Sequence, residues 1–310
     1  MYVYCCCDCL QCSGAQGGPP TQRFYLNNKP LFTNGWLDMG YWPDGIYTAP
    51  SDDAILFDLQ SVKRYGFNMI RVQEKVHNER WYYHADTLGV LVWQDAPQKY
   101  SGATADTVPL FTNDLNAMVL GKINHPRSFS ISSICHNLTL ACHWDIFNED
   151  ECWQVFSNVD DVVNEISALD STRLINSDSG GSANAFGFGN VNDIYSLPSP
   201  IDNLPSDVQY AVLGNYGGLG YFVTGKEWVN NACTANKVVD STQQLLTTYS
   251  SYLNQLMLWK GDLSGVVYVR MADTELQCNG FMTYDRTDKL NSTQIDQIQI
   301  LNQKLISSMS

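Results

Sequence analysis

The stretch SDDAILFDLQSVKRYGFNMIRV, residues 51–72, contains the two alternating elements that decide the fold. Its first part, residues 51–66, predicts a helix, because Ser51 can cap it, acidic residues follow, and a glycine stands at its end. Apolar residues inside it recur at helical spacing. Residues 67–72 form a short apolar run that is typical of a buried strand. A helix followed directly by a buried strand is the repeating unit of a parallel sheet.

The same alternation continues along the rest of the chain. We predict eight strands, at residues 31–37, 67–72, 90–95, 143–149, 173–178, 192–197, 208–215 and 265–273. Helices are predicted at residues 51–66, 78–89, 111–123, 159–170, about 238–259 and 292–308. This α/β pattern predicts a single (β/α)8 TIM barrel domain over residues 21–310. A doubly wound sheet is the alternative, but the turn after the first strand lacks the phosphate-binding GxGxxG pattern.

Two segments do not fit the pattern. Residues 1–20 hold five of the ten cysteines but have neither the basic start nor the long apolar core of a signal peptide. We expect them to be a disordered leader outside the domain. Residues 129–142 show no useful period and are expected to be an insertion before the fourth strand. Translation of an unspliced intron would also produce such segments, and sequencing the transcript tests this.

Composition limits the partners. The net charge of −14, from 32 acidic and 18 basic residues, argues against nucleic acid and anionic membranes as partners. We expect no cofactor and no metal, because the five histidines show no paired ligand spacing. Asn137 and Asn291 lie in glycosylation acceptor patterns, which weakly favours an extracellular location in an intact homologue. The compartment and the oligomeric state stay open.

The candidate functional residues stand at the predicted carboxyl ends of the strands, where barrels of this kind carry their chemistry. These residues are Asp38, Arg71, Asp95, Asn148, Glu149, Asp178, Tyr195, Asn215 and Asp273. Carboxylates exchange protons with glycosidic oxygens, and nearby aromatic rings can stack on sugar faces, so the set suits a carbohydrate ligand. One aspartate at a strand end is more often a helix cap, so the hypothesis depends on the combination.

Longer motifs carry a resemblance to a known family. They include YGFNMIRVQEKV (65–76), RWYYHADTLGVLVWQDAP (80–97), the pieces NHP (124–126) and WDIFNE (144–149), and VVYVRMADTELQCNGFMTYDR (266–286). Together they resemble the barrel domain of glycoside hydrolase family 2, which includes β-galactosidases, β-mannosidases and β-glucuronidases. The resemblance runs from about Arg23 to Asp288.

The resemblance implies a retaining β-glycosidase with two catalytic carboxylates. It implies that Glu149 is the general acid/base, that Asn148 binds the sugar 2-hydroxyl, and that Arg71 lines the floor of the site. Asp38, Asp95 and Tyr195 are expected to contact substrate with them. The family's nucleophile motif, Gly-Glu-Phe/Tyr-Gly-Gly, falls on GNYGG (214–218), so that Asn215 stands where the glutamate is expected.

Other departures from the family pattern are Val72-Gln73 after the arginine, Tyr195 and Leu197 on the sixth strand, and Arg270 on the eighth. Three hypotheses follow from these substitutions. The chain is a glycoside hydrolase impaired by the missing nucleophile, a carbohydrate-binding pseudoenzyme without activity, or a truncated gene product.

Overall fold

The computed structural model describes residues 23–26, 29–97, 104–123, 141–149, 153–181 and 187–310. Eight parallel strands form its main sheet: β1 (Thr33–Asp38), β2 (Met69–Val72), β3 (Leu91–Asp95), β4 (Ala141–Asn148), β5 (Leu174–Ser179), β6 (Val191–Ser196), β7 (Tyr210–Gly217) and β8 (Leu263–Val269). Their spatial order is β5-β4-β3-β2-β1-β8-β7-β6, so the strands curl into a nearly closed barrel. The predicted TIM barrel is confirmed.

Within the described ranges, six long helices accompany the strands: α1 (Asp52–Arg64), α2 (Glu79–Leu88), α3 (Val108–Lys122), α4 (Val159–Leu169), α5 (Thr242–Leu256) and α6 (Ser292–Met309). All six were predicted, with ends shifted by a few residues. The Ser51 side chain accepts a hydrogen bond from the Ala54 amide at 3.1 Å, as its predicted capping role requires. A helix does not follow every strand, because the described residues between β5 and β6 and between β6 and β7 contain no helix.

The predicted leader, residues 1–20, lies outside the described residues, and so does most of the predicted insertion. The end of that insertion was misplaced, since Ala141 and Cys142 already belong to β4. The apolar run of β4 therefore begins two residues before its predicted start. No helix in the part of the chain that the structure describes is long and apolar enough to cross a membrane.

The barrel has an apolar lower half and a polar upper half. Strand side chains alternate in direction, so residues two apart share a face. Leu91 and Trp93 of β3 belong to the apolar cluster inside the barrel, and Phe24 packs its ring 6.4 Å from the Trp93 ring. Two residues further on, Asp95 begins the polar half. The outer strand faces pack against the helices in two further clusters.

The seam between β5 and β6 is closed largely by side chains. These strands are the two ends of the sheet and share no ladder of backbone hydrogen bonds. Asn176 on β5 donates to Asp193 on β6 at 2.9 Å, and the Ser179 hydroxyl also donates to that carboxylate. The backbone N–H of Asn190 donates one further hydrogen bond, to the Ile175 carbonyl, at 2.8 Å. Polar side chains thus complete the barrel at the level of the candidate site.

Candidate active site

Arg71 is the centre of the polar half. Its side chain is fully buried, and its Nε and Nη2 donate to the two oxygens of Asp95 at 2.9 and 2.8 Å. Nη2 also donates to Asn148 Oδ1 at 3.1 Å, while Nη1 donates to Tyr195 Oη at 2.8 Å and to the Gly214 carbonyl at 3.2 Å. A guanidinium has five N–H donors, and five hydrogen bonds account for all of them. Arg71 therefore fixes residues from four other strands.

This network brings together four of the seven residues predicted for catalysis and substrate binding: Arg71, Asp95, Asn148 and Tyr195. Glu149 and Asn215 are not hydrogen-bonded to Arg71, but each is the chain neighbour of a residue that is. Asp38 lies apart from the network. Its carboxylate accepts hydrogen bonds from the Gly40 amide at 2.7 Å and from His77 Nε2 at 3.1 Å.

Glu149 stands at the end of β4 with its side chain exposed at the barrel mouth. Its φ of 53° is left-handed, a conformation that costs free energy for any residue with a side chain. Its amide donates to the Ser179 carbonyl on β5 at 3.0 Å. The preceding Asn148 is buried and uses its Oδ1 for Arg71 and for the Tyr195 hydroxyl. Its Nδ2 is thereby held in one direction.

Asn215 lies buried on β7 opposite Tyr195 of β6. The β6–β7 register shifts here by one residue, which places Gly214 in a bulge. The Gly214 carbonyl accepts from Arg71, and its amide donates to Asp193 at 2.5 Å. The Asn215 Oδ1 atom is buried and meets no hydrogen-bond donor in the described part of the chain. Buried polar atoms almost always have partners, so this oxygen needs an explanation.

Two buried carboxylates of the barrel interior were missed by the sequence analysis. Asp145 accepts from Asn176 Nδ2 at 2.6 Å, and Asp193 accepts from Asn176, Ser179 and Gly214. Burial raises the pKa of each to about 6, although the Arg71 charge opposes that rise. Each lies on the inward face of its strand, two residues from another inward polar side chain, and this period of two was the available signal.

Asp95 and Asp145 titrate as a pair. Burial raises the pKa of Asp95 to about 8, with Arg71 opposing and the Asp145 carboxylate adding to the rise. The two carboxyl groups are close enough for each to affect the pKa of the other. Their titrations are therefore coupled, and the Arg71 charge opposes the rise of both pKa values.

The remaining strand-end candidates have structural partners. Asp273 forms a buried ion pair with Lys289 at 2.7 Å, and Asp178 is fully buried on β5. Asp38 keeps its pKa low, because the hydrogen bond from His77 and the charge of Arg286 outweigh the effect of burial. His77 in turn stacks on Trp81 with ring centroids 4.6 Å apart. No three His, Cys, Asp or Glu side chains within the described ranges are grouped as metal ligands.

A disulfide also escaped prediction. Cys233, in the long connection after β7, is bonded to Cys278 in the loop after β8. Both segments lie at the carboxyl ends of their strands, so the bond joins two loops of the candidate active face. The sequence separation of 45 residues gave no signal for this pairing.

Comparison with known proteins shows which enzymes this barrel resembles. No family model matches the chain. The β-galactosidase of Lactococcus lactis is 26% identical over 109 residues, or 33% of this chain and 11% of that enzyme. The β-galactosidase of Oenococcus oeni is 30% identical over 109 residues, or 33% of this chain and 10% of that enzyme.

Solved structures extend the likeness to most of the chain. The GH2 β-galacturonidase of Eisenbergiella tayi, bound to galacturonate, superposes with a TM-score of 0.66 at 17% identity, covering 92% of this chain and 53% of that one. The chain resembles the catalytic barrel of glycoside hydrolase family 2. The β-glucuronidase of Parabacteroides merdae, with glycerol in its active site, gives a TM-score of 0.64 at 17% identity, covering 89% of this chain and 37% of that one. The resemblance to a family 2 barrel predicted from the sequence is confirmed.

These matches cover only part of the length of each relative. The curated matches span about a tenth of each β-galactosidase, and this chain covers about a third to a half of the solved relatives. At 17% identity the superposition establishes the fold of a family 2 barrel. The matches therefore show a fold, and they show neither an activity nor a substrate.

Proposed function

We propose that this family 2-like barrel binds β-glycosides at the carboxyl ends of its strands and that its hydrolytic activity is impaired. Glu149 is the proton donor, Asn148 binds the substituent at C2, and Asp38 and Tyr195 border the sugar. Arg71 and Asp95 act as positioning residues, since their hydrogen bonds are made within the protein. Asn215 occupies the position of the nucleophile.

The proposed impairment follows from the chemistry of an amide. A retaining glycosidase uses two carboxyl groups about 5–5.5 Å apart, one as acid/base and one as nucleophile. The nucleophile attacks the anomeric carbon, and its negative charge stabilises the oxocarbenium-like transition state. Asn215 supplies neither the anion nor the charge, and its side chain is one methylene shorter than glutamate. Loss of such a group costs about 4–8 kcal/mol of transition-state stabilisation.

One observation carries the proposal of retained binding. The Asn215 Oδ1 atom is buried without a donor among the described residues, beside the glycine that anchors Arg71. A sugar hydroxyl would supply that donor. The site is also built as a binding site requires, because the Arg71 network holds Asn148 and Tyr195 in fixed positions. Binding and charge stabilisation are separate functions, so the first survives loss of the second.

Two variants of Asn215 test the proposal. A panel of aryl β-glycosides is assayed with wild type, Asn215→Glu and the uncharged control Asn215→Gln, which has the same length as glutamate. We expect binding without measurable turnover in wild type and in Asn215→Gln. We expect turnover at least about a hundredfold higher in Asn215→Glu, which restores the carboxylate. Azide or formate is expected to raise wild-type turnover in part.

Turnover in wild type equal to that of Asn215→Glu would overturn the impairment. Absence of binding for every glycoside would overturn the proposed function as a whole. A chain that binds but stays inactive as Asn215→Glu is instead the carbohydrate-binding pseudoenzyme. In that case the departures at Val72, Tyr195 and Arg270 have also removed the catalytic geometry.

A further inference from the structure

Asn291 stands at the start of α6 and begins one of the two glycosylation acceptor patterns of the sequence, Asn291-Ser292-Thr293. All three residues are exposed to solvent. Because α6 follows β8, its first residues lie on the rim of the candidate active face. The other pattern, at Asn137, falls outside the described residues. The structure therefore describes the surroundings of the acceptor at Asn291.

The backbone around Asn291 is firmly held. Its side-chain Oδ1 accepts a hydrogen bond from the Gln294 backbone N–H at 2.9 Å, and the Gln294 side chain accepts one from the Asn291 backbone N–H at 3.2 Å. This reciprocal arrangement is a capping box. Leu290 before the cap and Ile295 after it are buried in the same apolar cluster. The chain on either side of Asn291 is thus fixed to the core, while Asn291 itself stays in solvent.

The cap uses the oxygen of the Asn291 side chain and leaves its nitrogen unused. Within the described part of the chain, Nδ2 donates no hydrogen bond, so capping accounts for the oxygen alone. Serine or aspartate would cap the helix about as well, so the cap does not explain why an amide stands here. An N-linked glycan is attached to the nitrogen and leaves the carbonyl oxygen in place. The cap and a glycan are therefore compatible.

The disulfide between Cys233 and Cys278 is a second and independent observation. Cys278 is buried, and its carbonyl accepts a hydrogen bond from Lys289, two residues before Asn291, at 2.7 Å. Disulfides form and persist in oxidising compartments such as the lumen of the endoplasmic reticulum, and they are rare in the cytosol. The acceptor pattern is used in secreted proteins. Both features indicate passage of this chain through a secretory pathway.

We propose that Asn291 carries an N-linked glycan, added when the chain enters the endoplasmic reticulum. In this step Nδ2 of Asn291 forms a bond to the anomeric carbon of an oligosaccharide that is carried on a lipid diphosphate. The bond between that carbon and the diphosphate oxygen breaks, the lipid diphosphate leaves with the electron pair, and the amide nitrogen loses one proton. Thr293 supplies the hydroxyl that the pattern requires two residues after the asparagine. The inference is independent of the proposed function.

The protein isolated from its own cells tests the proposal directly. Its peptides are treated with peptide N-glycosidase F in heavy-oxygen water, which converts a glycosylated asparagine to a labelled aspartate, and are analysed by mass spectrometry. We expect the peptide that contains Asn291 to carry the label. An unlabelled peptide with an intact asparagine at this position would overturn the proposal.

Matched variants locate the glycan. The full chain is produced behind a signal peptide in a eukaryotic secretory host, with Asn137→Asp to remove the other acceptor pattern. We expect one shift in electrophoretic mobility that the glycosidase removes. Asn291→Asp, which keeps a capping oxygen, and Thr293→Ala, which keeps Asn291, are both expected to abolish the shift. Thr247→Ala, the same change at an exposed position of α5, is expected to retain it.

Absence of the shift from the chain with Asn137→Asp alone would overturn the proposal. A shift that survives in Asn291→Asp would also overturn it, because another residue would then carry the glycan. The two variants change opposite ends of the acceptor pattern. Loss of the shift in both, with its retention in Thr247→Ala, therefore distinguishes a missing glycan from a folding defect.

Discussion

Arg71 and Asp95 form a side-on ion pair across the neighbouring strands β2 and β3, with Nε–Oδ1 and Nη2–Oδ2 distances of 2.9 and 2.8 Å. Both side chains are essentially excluded from solvent. A pair of this geometry satisfies both carboxylate oxygens and leaves three donors for other strands. The pair therefore fixes the guanidinium group of Arg71. That group in turn positions Asn148, Tyr195 and the bulge before Asn215 through its other hydrogen bonds.

Removal of the guanidinium is expected to be costly. Arg71→Met leaves Asp95 buried without its counter-ion, so we expect the free energy of unfolding to fall by about 3–5 kcal/mol. Urea denaturation measures the loss. Arg71→Met combined with Asp95→Asn should recover part of it, because the second change removes the buried carboxyl group that has lost its partner.

Arg80→Met is the matched control, because the Arg80–Asp52 pair is bidentate but about half exposed. We expect it to cost less than about 1 kcal/mol, as exposed ion pairs usually do. Equal losses in the two arginine variants would contradict the role assigned to Arg71.

The interior carboxylates predict a stability that depends on pH. Burial raises the pKa of Asp145 from 3.8 to about 6. The folded state therefore binds this proton more tightly than the unfolded state, and the associated stability is lost as pH rises from about 4 through 6. Asp145→Asn removes this titration, together with the contribution of the Asp145 charge to the raised pKa of Asp95, and can keep the hydrogen bond from Asn176.

We expect the difference in unfolding free energy between Asp145→Asn and wild type to shift by about 2–3 kcal/mol, in favour of the variant, between pH 4 and pH 7. Denaturation curves at a series of pH values measure it. Asp296→Asn, on the exposed face of α6, is the control and should show a flat difference. A difference that moves in the opposite direction would contradict the assigned sign.

The disulfide between Cys233 and Cys278 is expected to stabilise the chain by about 2–4 kcal/mol, because it closes a long loop in the unfolded state. A reducing agent should lower the Tm of wild type. It should have no further effect on Cys233→Ser, which already lacks the bond. Unchanged Tm in wild type under complete reduction would show that these loops are held by their other contacts.

The sequence predicted the barrel well because each element carries its own signal. Ser51 and the acidic residues after it predict the start of α1, and the apolar run before Arg71 predicts β2. The strand-end rule also selected Arg71, Asp95, Asn148 and Tyr195, which the structure joins in one network. Such residues can be predicted because closure of a parallel barrel brings all carboxyl strand ends to one face.

What the sequence did not predict depends on contacts between distant segments. The bond between Cys233 and Cys278 requires two loops to meet, and no spacing rule reveals it. Asp145 and Asp193 lie inside their strands, and the strand-end rule selects only residues at the carboxyl ends.

The seam between β5 and β6 has a consequence for the motions of the molecule. Hydrogen bonds from Asn176 and Ser179 to Asp193 close a gap that a backbone ladder closes elsewhere. Local opening of the barrel should therefore start at this edge. Backbone amides of β6 that face β5 should exchange with deuterium sooner than those of β2. Because Asp193 also anchors the Gly214 amide, each such opening would loosen the strand that bears Asn215.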